Sequence, residues 1–191
     1  KRYMHPDVVV AGGGPAGLSA ATAAANAGAS VILLDHENAA GGHLLWGSDE
    51  DRAAAADLIT AAEAAGVEIL ENTTVTGRYE DNWISIVQRS HDISMERLIK
   101  ARAKVLVVAA GTIERPYVFA GDDIPGVMTS GAVRRLINMY GVKPGTKAVV
   151  LTANESGDGA ADDLRRAGVD VTVVDAREGK TIASASGSKT R

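Results

Sequence analysis

Three glycines near the start of the chain have the spacing of a loop that binds a pyrophosphate. They are Gly12, Gly14 and Gly17 in the run GGGPAG, which follows the apolar residues 8–11 and precedes an alanine-rich stretch, 18–27. In such a loop the first glycine permits a tight turn, the second lets the backbone approach the pyrophosphate, and the third lets a helix pack close to a strand. The N–H groups and dipole of the helix N-terminus attract phosphates. The spacing therefore predicts a dinucleotide-binding turn.

An acidic residue stands where such a site needs a hydrogen-bond acceptor. Asp35 ends the apolar run 31–34 and lies roughly 20 residues beyond the glycine turn, as the dinucleotide-binding pattern requires. A carboxylate there accepts hydrogen bonds from the adenine ribose hydroxyl groups. Asp35 and Glu37 would repel a 2′-phosphate and no arginine follows directly, so NADP is not expected. The residues alone leave the choice between nicotinamide and flavin dinucleotides open.

Two more glycine-containing loops are expected near the ligand. The pair Gly41-Gly42, followed by His43, suggests a backbone that lies close to a ligand, with an ordinary loop as the alternative. Gly111-Thr112 follows the apolar run 104–109, at the strand edge where ligands bind in parallel sheets. We assign no catalytic residue, and the four histidines show neither a nucleophile–base order nor metal-ligand spacing.

The surrounding pattern predicts an α/β fold. The glycine turn joins strand 8–11 to helix 18–27, and strand 31–34 carries the acid. A helix follows at 50–65, and strands are predicted at 67–70, 74–78, 83–89, 97–100 and 104–109. The closely spaced strands of residues 74–100 indicate an antiparallel meander inserted into a Rossmann-like dinucleotide-binding domain. We place this domain at residues 1–125.

The rest of the chain predicts a second, truncated Rossmann-like half at residues 126–178. A helix is expected at 130–140 with Ser130 as its N-cap, followed by strand 148–153, turn 154–159, helix 160–167 and strand 171–175. The turn lacks the three-glycine spacing, and Glu155 and Asp158 would repel a pyrophosphate, so we expect a weakened or lost phosphate site. Residues 179–191, rich in Ser, Ala and Gly, are predicted to form a disordered tail.

Composition excludes several classes of function. The chain has 191 residues, is 46% hydrophobic and contains no cysteine, which excludes disulfide, thiolate-zinc and iron–sulfur chemistry within it. Its net charge of −4 and the lack of a basic block argue against nucleic-acid binding. No apolar run approaches the ~20 residues of a membrane span. We expect a cytoplasmic protein with no membrane partner.

The order of these elements resembles that of the two-dinucleotide-binding-domain flavoproteins of the glutathione-reductase type. Four segments look more specifically like the α subunits of heterotetrameric sarcosine oxidases. They are KRYMHPDVVVAGGGPAGLSAA, TTVTGRYEDN, AAGTIERPYVFAGDDIPGVMTSGAVRRLINMYGV and VVDARE. The resemblance covers residues 1 to about 178, and its most specific parts are Glu114-Arg115-Pro116 and the run from Ile124 to Met128. Opine oxidases and hydrogen-cyanide synthase subunits look similar.

This resemblance implies a multisubunit enzyme that oxidatively demethylates sarcosine with oxygen and tetrahydrofolate and releases hydrogen peroxide. It implies partner β, γ and δ subunits, FAD in the β subunit, FMN at the α/β boundary, and NAD⁺ held by the α subunit without hydride turnover. It further implies that an N-terminal ferredoxin-like region and a C-terminal folate-binding region are missing here. We therefore expect a piece of a longer subunit, inactive toward sarcosine on its own.

Two other function classes stay open. One is an FAD-dependent NAD(P)H oxidoreductase or an opine- or glycine-type dehydrogenase subunit, and the other is a non-catalytic nucleotide-binding scaffold. The expected cofactor is NAD, with FAD as the alternative occupant. The residues expected to bind it are Gly12, Gly14, Pro15, Ala16, Gly17, Asp35, His36, Glu37, Gly42, His43, Gly111 and Thr112.

Overall fold

The computed structural model describes residues 1–89 and 95–177 and the backbone of strand 183–185. The chain divides into two compact units, Lys1–Thr112 and Ile113–Arg191. The boundary that we expected from the sequence, after residue 125, lies inside the second unit. The α/β fold class is confirmed.

The first unit is built on a four-stranded parallel sheet with the order β4-β3-β2-β8. Its strands are β2 (Val8–Ala11), β3 (Val31–Leu34), β4 (Glu68–Leu70) and β8 (Val105–Val108), and its helices are α1 (Pro15–Asn26) and α2 (Asp49–Ala64). In β2, Val8 pairs with Val31 on one side and with Val105 on the other. The glycine turn and Asp35 thus follow adjacent strands at one edge of the sheet.

The predicted meander forms a second sheet with the order β1-β7-β6-β5. Its antiparallel strands are β5 (Thr73–Arg78), β6 (Trp83–Arg89) and β7 (Glu96–Arg102). The fourth strand, β1 (Arg2–Met4), pairs in parallel with β7 and was not predicted. Three residues are too few to show a period-2 pattern, so only the pairing with β7 defines this strand.

The parallel sheet separates two apolar layers of the first unit. Val9, Ile32 and Leu34 pack with the meander residues Ile84 and Ile86. The alternate residues of the same strands face α1 and α2 and pack with helix residues; this second cluster includes Val8, Val10, Leu33, Leu18, Ala21 and Ala62. Because successive side chains of a strand point to opposite faces, one short apolar run supplies both layers.

The second unit has the sheet order β11-β10-β9. Its elements are α3 (Ser130–Asn138), β9 (Lys147–Thr152), α4 (Ser156–Arg166), β10 (Asp170–Asp175) and β11 (Ala183–Ala185). The two helices are joined by the buried carboxylate of Asp163, which accepts hydrogen bonds from Arg134 Nε at 2.8 Å and Asn138 Nδ2 at 2.7 Å.

Three expectations for this unit differ from the structure. The N-cap of α3 is Thr129, and Ser130 is its first helical residue. Helix α4 begins at Ser156 rather than Ala160. Gly157, in its first turn, packs so closely against Thr152 that a Cβ would lie 2.3 Å from that side chain, so this glycine is required by packing and does not mark a loop. Within the predicted disordered tail, β11 pairs antiparallel with β10, while residues 179–182 and 186–191 lie outside the described residues.

An ionic cluster joins the amino ends of three parallel strands. Asp7 Oδ2 accepts hydrogen bonds from Ser30 N at 2.9 Å and Ser30 Oγ at 2.8 Å, and Lys104 Nζ lies 2.7 Å from Asp7 Oδ1. The pKa of Asp7 lies well below its ordinary value, mainly because Lys104 donates a hydrogen bond to the carboxylate. The hydrogen bonds from Ser30 lower it further. The charged carboxylate therefore holds the starts of β2, β3 and β8 together.

We predict that Asp7→Asn reduces the acid sensitivity of the fold. Because the folded-state pKa of Asp7 is lowered, its contribution to stability is complete above the unfolded-state pKa, near 4, and is lost as the pH falls below it. The Tm of the variant should be lower than that of the wild type at pH 7, and this difference should shrink toward pH 2. Asp57→Asn, at an exposed carboxylate on α2, is the control; an equal pH dependence in both variants would contradict the assignment.

Candidate functional site

The glycine turn is packed backbone against backbone. Gly12 has φ +113°, and a Cβ there would lie 2.2 Å from the carbonyl oxygen of Ala109. A Cβ at Gly17 would lie 1.8 Å from the carbonyl oxygen of Gly12. Neither position has space for a side chain, and with glycine at both α1 begins directly above β2 and β8. This agrees with the roles predicted for Gly12 in a tight turn and for Gly17 in close helix packing.

The turn is also tied to the neighbouring strand β3. Gly13 N donates a buried hydrogen bond to Asp35 Oδ2 at 2.8 Å, and Gly12 N donates to the carbonyl oxygen of Leu34 at 2.8 Å. A Cβ at Gly13 would lie only 2.5 Å from Asp35 Oδ2. A third position of the turn therefore requires glycine, here because a carboxylate packs against it.

Gly14 differs from the other three glycines of the turn. It is the N-cap of α1 with φ −72°, which any residue can adopt, and a Cβ there would meet only the Cα of Gly42, at an ordinary 3.9 Å. Gly42 in turn has φ +59°, and its own Cβ would lie 2.8 Å from the Cα of Gly14. Packing explains glycine at position 42, whereas at position 14 the protein's own atoms leave room for a side chain.

The amino end of α1 presents backbone donors to an anion. The first hydrogen bond onto its N-cap runs from Leu18 N to the Gly14 carbonyl oxygen, at 2.9 Å. The N–H groups of Ala16 and Gly17 precede it and have no acceptor within the helix, while Pro15 carries no N–H. Gly14 provides no side-chain cap, and the first turn, Pro15 to Leu18, contains no acidic residue. The helix dipole there is not compensated by this helix's own side chains.

The start of helix α2, unlike that of α1, is capped by its own side chains. Ser48 and Asp51 form a capping box: Asp51 N donates to Ser48 Oγ at 3.1 Å and Ser48 N donates to Asp51 Oδ2 at 2.8 Å. Its first turn also carries the acids Asp49 and Glu50. In the first unit, side chains of α2 therefore accept hydrogen bonds from its first N–H groups. The start of α1 consists of glycine, proline and alanine, which have no side chain that could do so.

The acidic end of β3 contains three of the predicted residues. Asp35 is only 4% exposed and accepts from Gly13 N and, through Oδ1, from Glu37 N at 2.9 Å. The His36 ring is exposed, with Nδ1 lying 3.4 Å from Asp35 Oδ1 and Nε2 lying 3.3 Å from Glu37 Oε1. The side chain of Glu37 is about one quarter exposed. The carboxylate of Asp35 is therefore already engaged by backbone donors.

The remaining predicted residues have looser surroundings. Gly42 and His43 begin a 3₁₀ helix, Gly42–Trp46, and the His43 ring lies edge-on to Trp46 with 6.2 Å between ring centroids. Gly111 has φ +71°, and a Cβ there would meet nothing within 4 Å. Gly111 and Thr112 are exposed and follow Ala109, whose carbonyl oxygen contacts the glycine turn. The structure thus brings Gly12, Gly14, Gly17, Asp35 and Gly42 into one packed group, with His43, Gly111 and Thr112 at exposed positions.

Three further residues that support this group were absent from the predicted set. Gly13 donates to Asp35, Ala109 provides the carbonyl oxygen against Gly12, and Glu71 Oε1 accepts from Ala40 N at 3.0 Å, which holds the chain just before the glycine pair. The run of three consecutive glycines, with Gly13 at its centre, was a signal for Gly13. Nothing local in the sequence distinguishes Ala109 or Glu71, since their partners are far away along the chain.

The corresponding turn of the second unit is closed by an ion pair. Arg177 donates from Nη1 to Asp158 Oδ2 and from Nη2 to Asp158 Oδ1, both at 2.9 Å, and from Nε to Asp175 Oδ1 at 2.8 Å. Hydrogen bonds to Asp175 first, and then to Asp158, raise the pKa of Arg177 above its ordinary value. Asp158, in the first turn of α4, is thus paired with Arg177, and the loss of a phosphate site at this turn stays a prediction.

Neither metal nor membrane features appear in the part of the chain that the structure describes. No group of three or more His, Asp or Glu side chains among those residues could hold a metal ion. None of the helices among them is long and apolar enough to cross a membrane.

The sequence comparisons give one family and several relatives. The family model for pyridine nucleotide-disulphide oxidoreductases matches residues 6–186. The sarcosine oxidase α subunit of Corynebacterium sp. (strain P-1) is 42% identical over 96% of this chain and 21% of the relative, and that of Rhizobium meliloti (strain 1021) is 42% identical over 93% and 20%. An opine oxidase subunit of Rhizobium meliloti (strain 1021) is 30% identical over 76% and 33%. The chain thus spans about a fifth of the length of the sarcosine oxidase subunits.

Solved structures agree on the fold. L-proline dehydrogenase from P. horikoshii superposes with a TM-score of 0.76 at 25% identity, over 91% of this chain and 36% of that one. Thioredoxin reductase of Lactococcus lactis gives a TM-score of 0.65 at 21% identity, over 91% and 57%. These similarities confirm the predicted Rossmann-like α/β fold.

We predict unequal effects on stability from two alanine substitutions in the turn. Gly17→Ala forces a methyl group into the Gly12 carbonyl and should lower the free energy of unfolding by about 1–3 kcal/mol. Gly14→Ala has room and an ordinary φ, so its Tm should fall less than that of Gly17→Ala, by the cost of an alanine at the N-cap alone. Thermal unfolding of both variants checks this, and equal losses at the two positions would contradict the packing described here.

Proposed function

Because the chain belongs to the pyridine nucleotide-disulphide oxidoreductase family, we propose that its glycine turn binds the pyrophosphate of an adenine dinucleotide. The observation that carries this proposal is Gly14, where the protein's own packing leaves room for a side chain, yet the residue is glycine at the uncapped start of α1. A bound pyrophosphate supplies the missing reason, since a side chain at this position would displace it.

The proposed roles follow from position. The N–H groups of Ala16 and Gly17 donate to the pyrophosphate, Pro15 starts the helix without adding a donor, and Gly14 leaves the approach open. Gly42, packed on Gly14, keeps the opposite side free of side chains. The acidic stretch from Asp35 to Glu37 faces the adenosine ribose, and His43, Gly111 and Thr112 line the remaining edge.

We further propose that the dinucleotide is NAD, with FAD as the alternative. Two carboxylates near the ribose position, those of Asp35 and Glu37, disfavour the 2′-phosphate of NADP. When bound, a nicotinamide dinucleotide can carry a hydride, and a flavin can pass electrons one or two at a time. The chain has no cysteine, so the disulphide exchange in the family's name has no thiol here.

For the whole protein we propose the α subunit of a multisubunit amine oxidase of the sarcosine oxidase type. The 42% identity to sarcosine oxidase α subunits supports it, and in such an assembly β, γ and δ subunits would accompany this one, with FAD and FMN bound elsewhere. Sarcosine is the proposed substrate, and the present residues hold NAD rather than perform chemistry. The 30% identity to an opine oxidase subunit keeps an opine as the alternative substrate. A cytoplasmic location stays a prediction from the cysteine-free composition.

The identity of the dinucleotide can be tested directly. The purified protein is denatured, and the released small molecules are identified by mass spectrometry and by flavin absorbance. Release of NAD supports the proposal, and release of FAD replaces it by the flavin alternative. If nothing is released and calorimetry detects no binding of either compound, the proposed function is wrong.

We predict that Gly14→Ala weakens dinucleotide binding about tenfold or more, ~1.4 kcal/mol, with a smaller loss of Tm than Gly17→Ala. The added methyl group occupies the space proposed for the pyrophosphate. Calorimetric titration with NAD measures the affinity, and Gly145→Ala is the matched control, since a Cβ there lies at an ordinary 3.6 Å from the Lys147 carbonyl oxygen. An unchanged affinity for Gly14→Ala would remove the main support for the site.

A further inference from the structure

The outer face of the meander sheet carries aromatic and cationic side chains. Ile84 on β6 and Ile99 on β7 are fully buried in the layer against the parallel sheet. Because successive side chains of a strand alternate between the two faces, Trp83 and Lys100 lie on the opposite, outer face. Tyr3 on β1 pairs with Lys100, so its side chain lies on the outer face as well.

Five side chains of this face form a row of cations and rings, which we call the aromatic row: Lys1, Tyr3, Lys100, Trp83 and Tyr79. Lys1 Nζ lies 4.9 Å from the centroid of the Tyr3 ring, and Lys100 Nζ lies 4.9 Å from that of Trp83. The Tyr79 ring meets Trp83 edge-on, with 4.9 Å between the centroids. Tyr3 and Tyr79 are nevertheless more than half exposed. The aromatic row therefore presents ring surface and two positive charges to the outside.

The two lysines of the aromatic row differ from Arg102, at the end of β7, in their partners. Arg102 lies 3.7 Å from the carboxylate of Asp81. Lys1 and Lys100 contact rings instead, and within residues 1–89 and 95–177 neither amine has a carboxylate within 4 Å. The pKa of Tyr3 lies below its ordinary value, mainly because of a hydrogen bond with Lys1, and the charge of Lys100 lowers it further. A chain with a net charge of −4 thus carries a local positive charge that its described carboxylates do not pair with.

This combination indicates a protein partner rather than a small ligand or a nucleic acid. The centres of protein–protein interfaces are enriched in aromatic side chains, and surfaces of opposite charge meet across them. A small ligand needs a concave pocket that encloses it, which an exposed sheet face does not provide. Two lysines are also too few for the basic patch that binds nucleic-acid phosphates.

We propose that the aromatic row docks onto an acidic surface of a different protein chain. Carboxylates of the partner pair with Lys1 and Lys100, and its apolar side chains pack on Tyr3 and Tyr79. Each ion pair forms beside a ring, where water is partly excluded and the attraction between charges is stronger than in bulk water. The inference goes beyond the proposed dinucleotide site, and it uses the proposed multisubunit assembly only as the place where the partner is sought.

A zero-length crosslinker tests the contact in the protein as it is isolated. The native protein is purified with the chains that accompany it and is treated with a carbodiimide, which joins an amine to a carboxylate where the two are in contact. Lys104 and Asp7, 2.7 Å apart, are the internal control and should be joined. Mass spectrometry of the digest should then show Lys1 or Lys100 joined to an aspartate or glutamate of a different sequence.

Charge reversal in the aromatic row tests the same contact by affinity. Lys100→Glu should raise the dissociation constant of the complex about tenfold or more, because like charges then face each other, while Lys100→Arg should keep it. Lys147→Glu, at an exposed lysine of β9, is the control for the same change of charge elsewhere. Sedimentation over a dilution series measures the dissociation constant, and the Tm of each variant shows whether it is folded.

The outcomes separate this inference from the proposed function. The inference is wrong if Lys1 and Lys100 are joined only to carboxylates of this same sequence, in one chain or in a second copy, or are not joined while Lys104 and Asp7 are. It is also wrong if Lys100→Glu and Lys147→Glu weaken the complex equally. In these cases an isolated complex still supports the multisubunit proposal. A native protein isolated as a single chain contradicts both, whereas release of NAD from it would still support the dinucleotide site.

Discussion

Close packing of backbone on backbone at the carboxyl edge of the parallel sheet is the constraint on which the first unit depends. At the start of α1, Gly17 packs against the carbonyl oxygen of Gly12, and the Cα of Gly12 packs in turn against the carbonyl oxygen of Ala109. A side chain at Gly12 or Gly17 would push the helix away from β2 and β8. The layer of Leu18 and Ala21 against Val10 forms only because this approach is possible.

The same constraint prepares the chemistry of the site. A helix that starts directly at the strand edge exposes its first N–H groups where two strands end, and a glycine at its N-cap leaves them open. The glycine turn therefore serves both dinucleotide binding and fold stability, but different residues of the turn serve each. Gly12, Gly13 and Gly17 are required by packing, whereas Gly14 is required by no atom of the protein itself.

The starts of α1, α2 and α4 differ in whether side chains compensate the first N–H groups of the helix or leave them open to a ligand. The start of α2 is satisfied by the capping box of Ser48 and Asp51, and that of α4 carries Asp158, which is paired with Arg177. The start of α1 has neither device. Side chains that compensate the dipole and N–H groups leave no place for an anion, so the two Rossmann-like halves are not equivalent in charge at the corresponding turn.

Sequence alone determined the order of elements, because apolar runs, glycine stops and strand alternation are local signals. Strand β6 was predicted with its observed bounds, Trp83–Arg89, and the glycine turn was found from spacing. By contrast, β1 was missed because its three residues become a strand only through pairing with β7. The start of α4 was misplaced because Gly157 and Gly159 suggested a turn, whereas the structure includes both in the helix.

Only the tertiary structure decided which residues contact each other at the two helix starts. Spacing identified Asp35 as an acid in the right place but could not show that the N–H of Gly13, 22 positions earlier, donates to its carboxylate. Nor could it show that Arg177 reaches Asp158 across 19 positions, or that Gly42 packs on Gly14. Local pattern fixes which residues can make a hydrogen bond or a close contact, whereas strand pairing and helix approach decide which partner each of them meets.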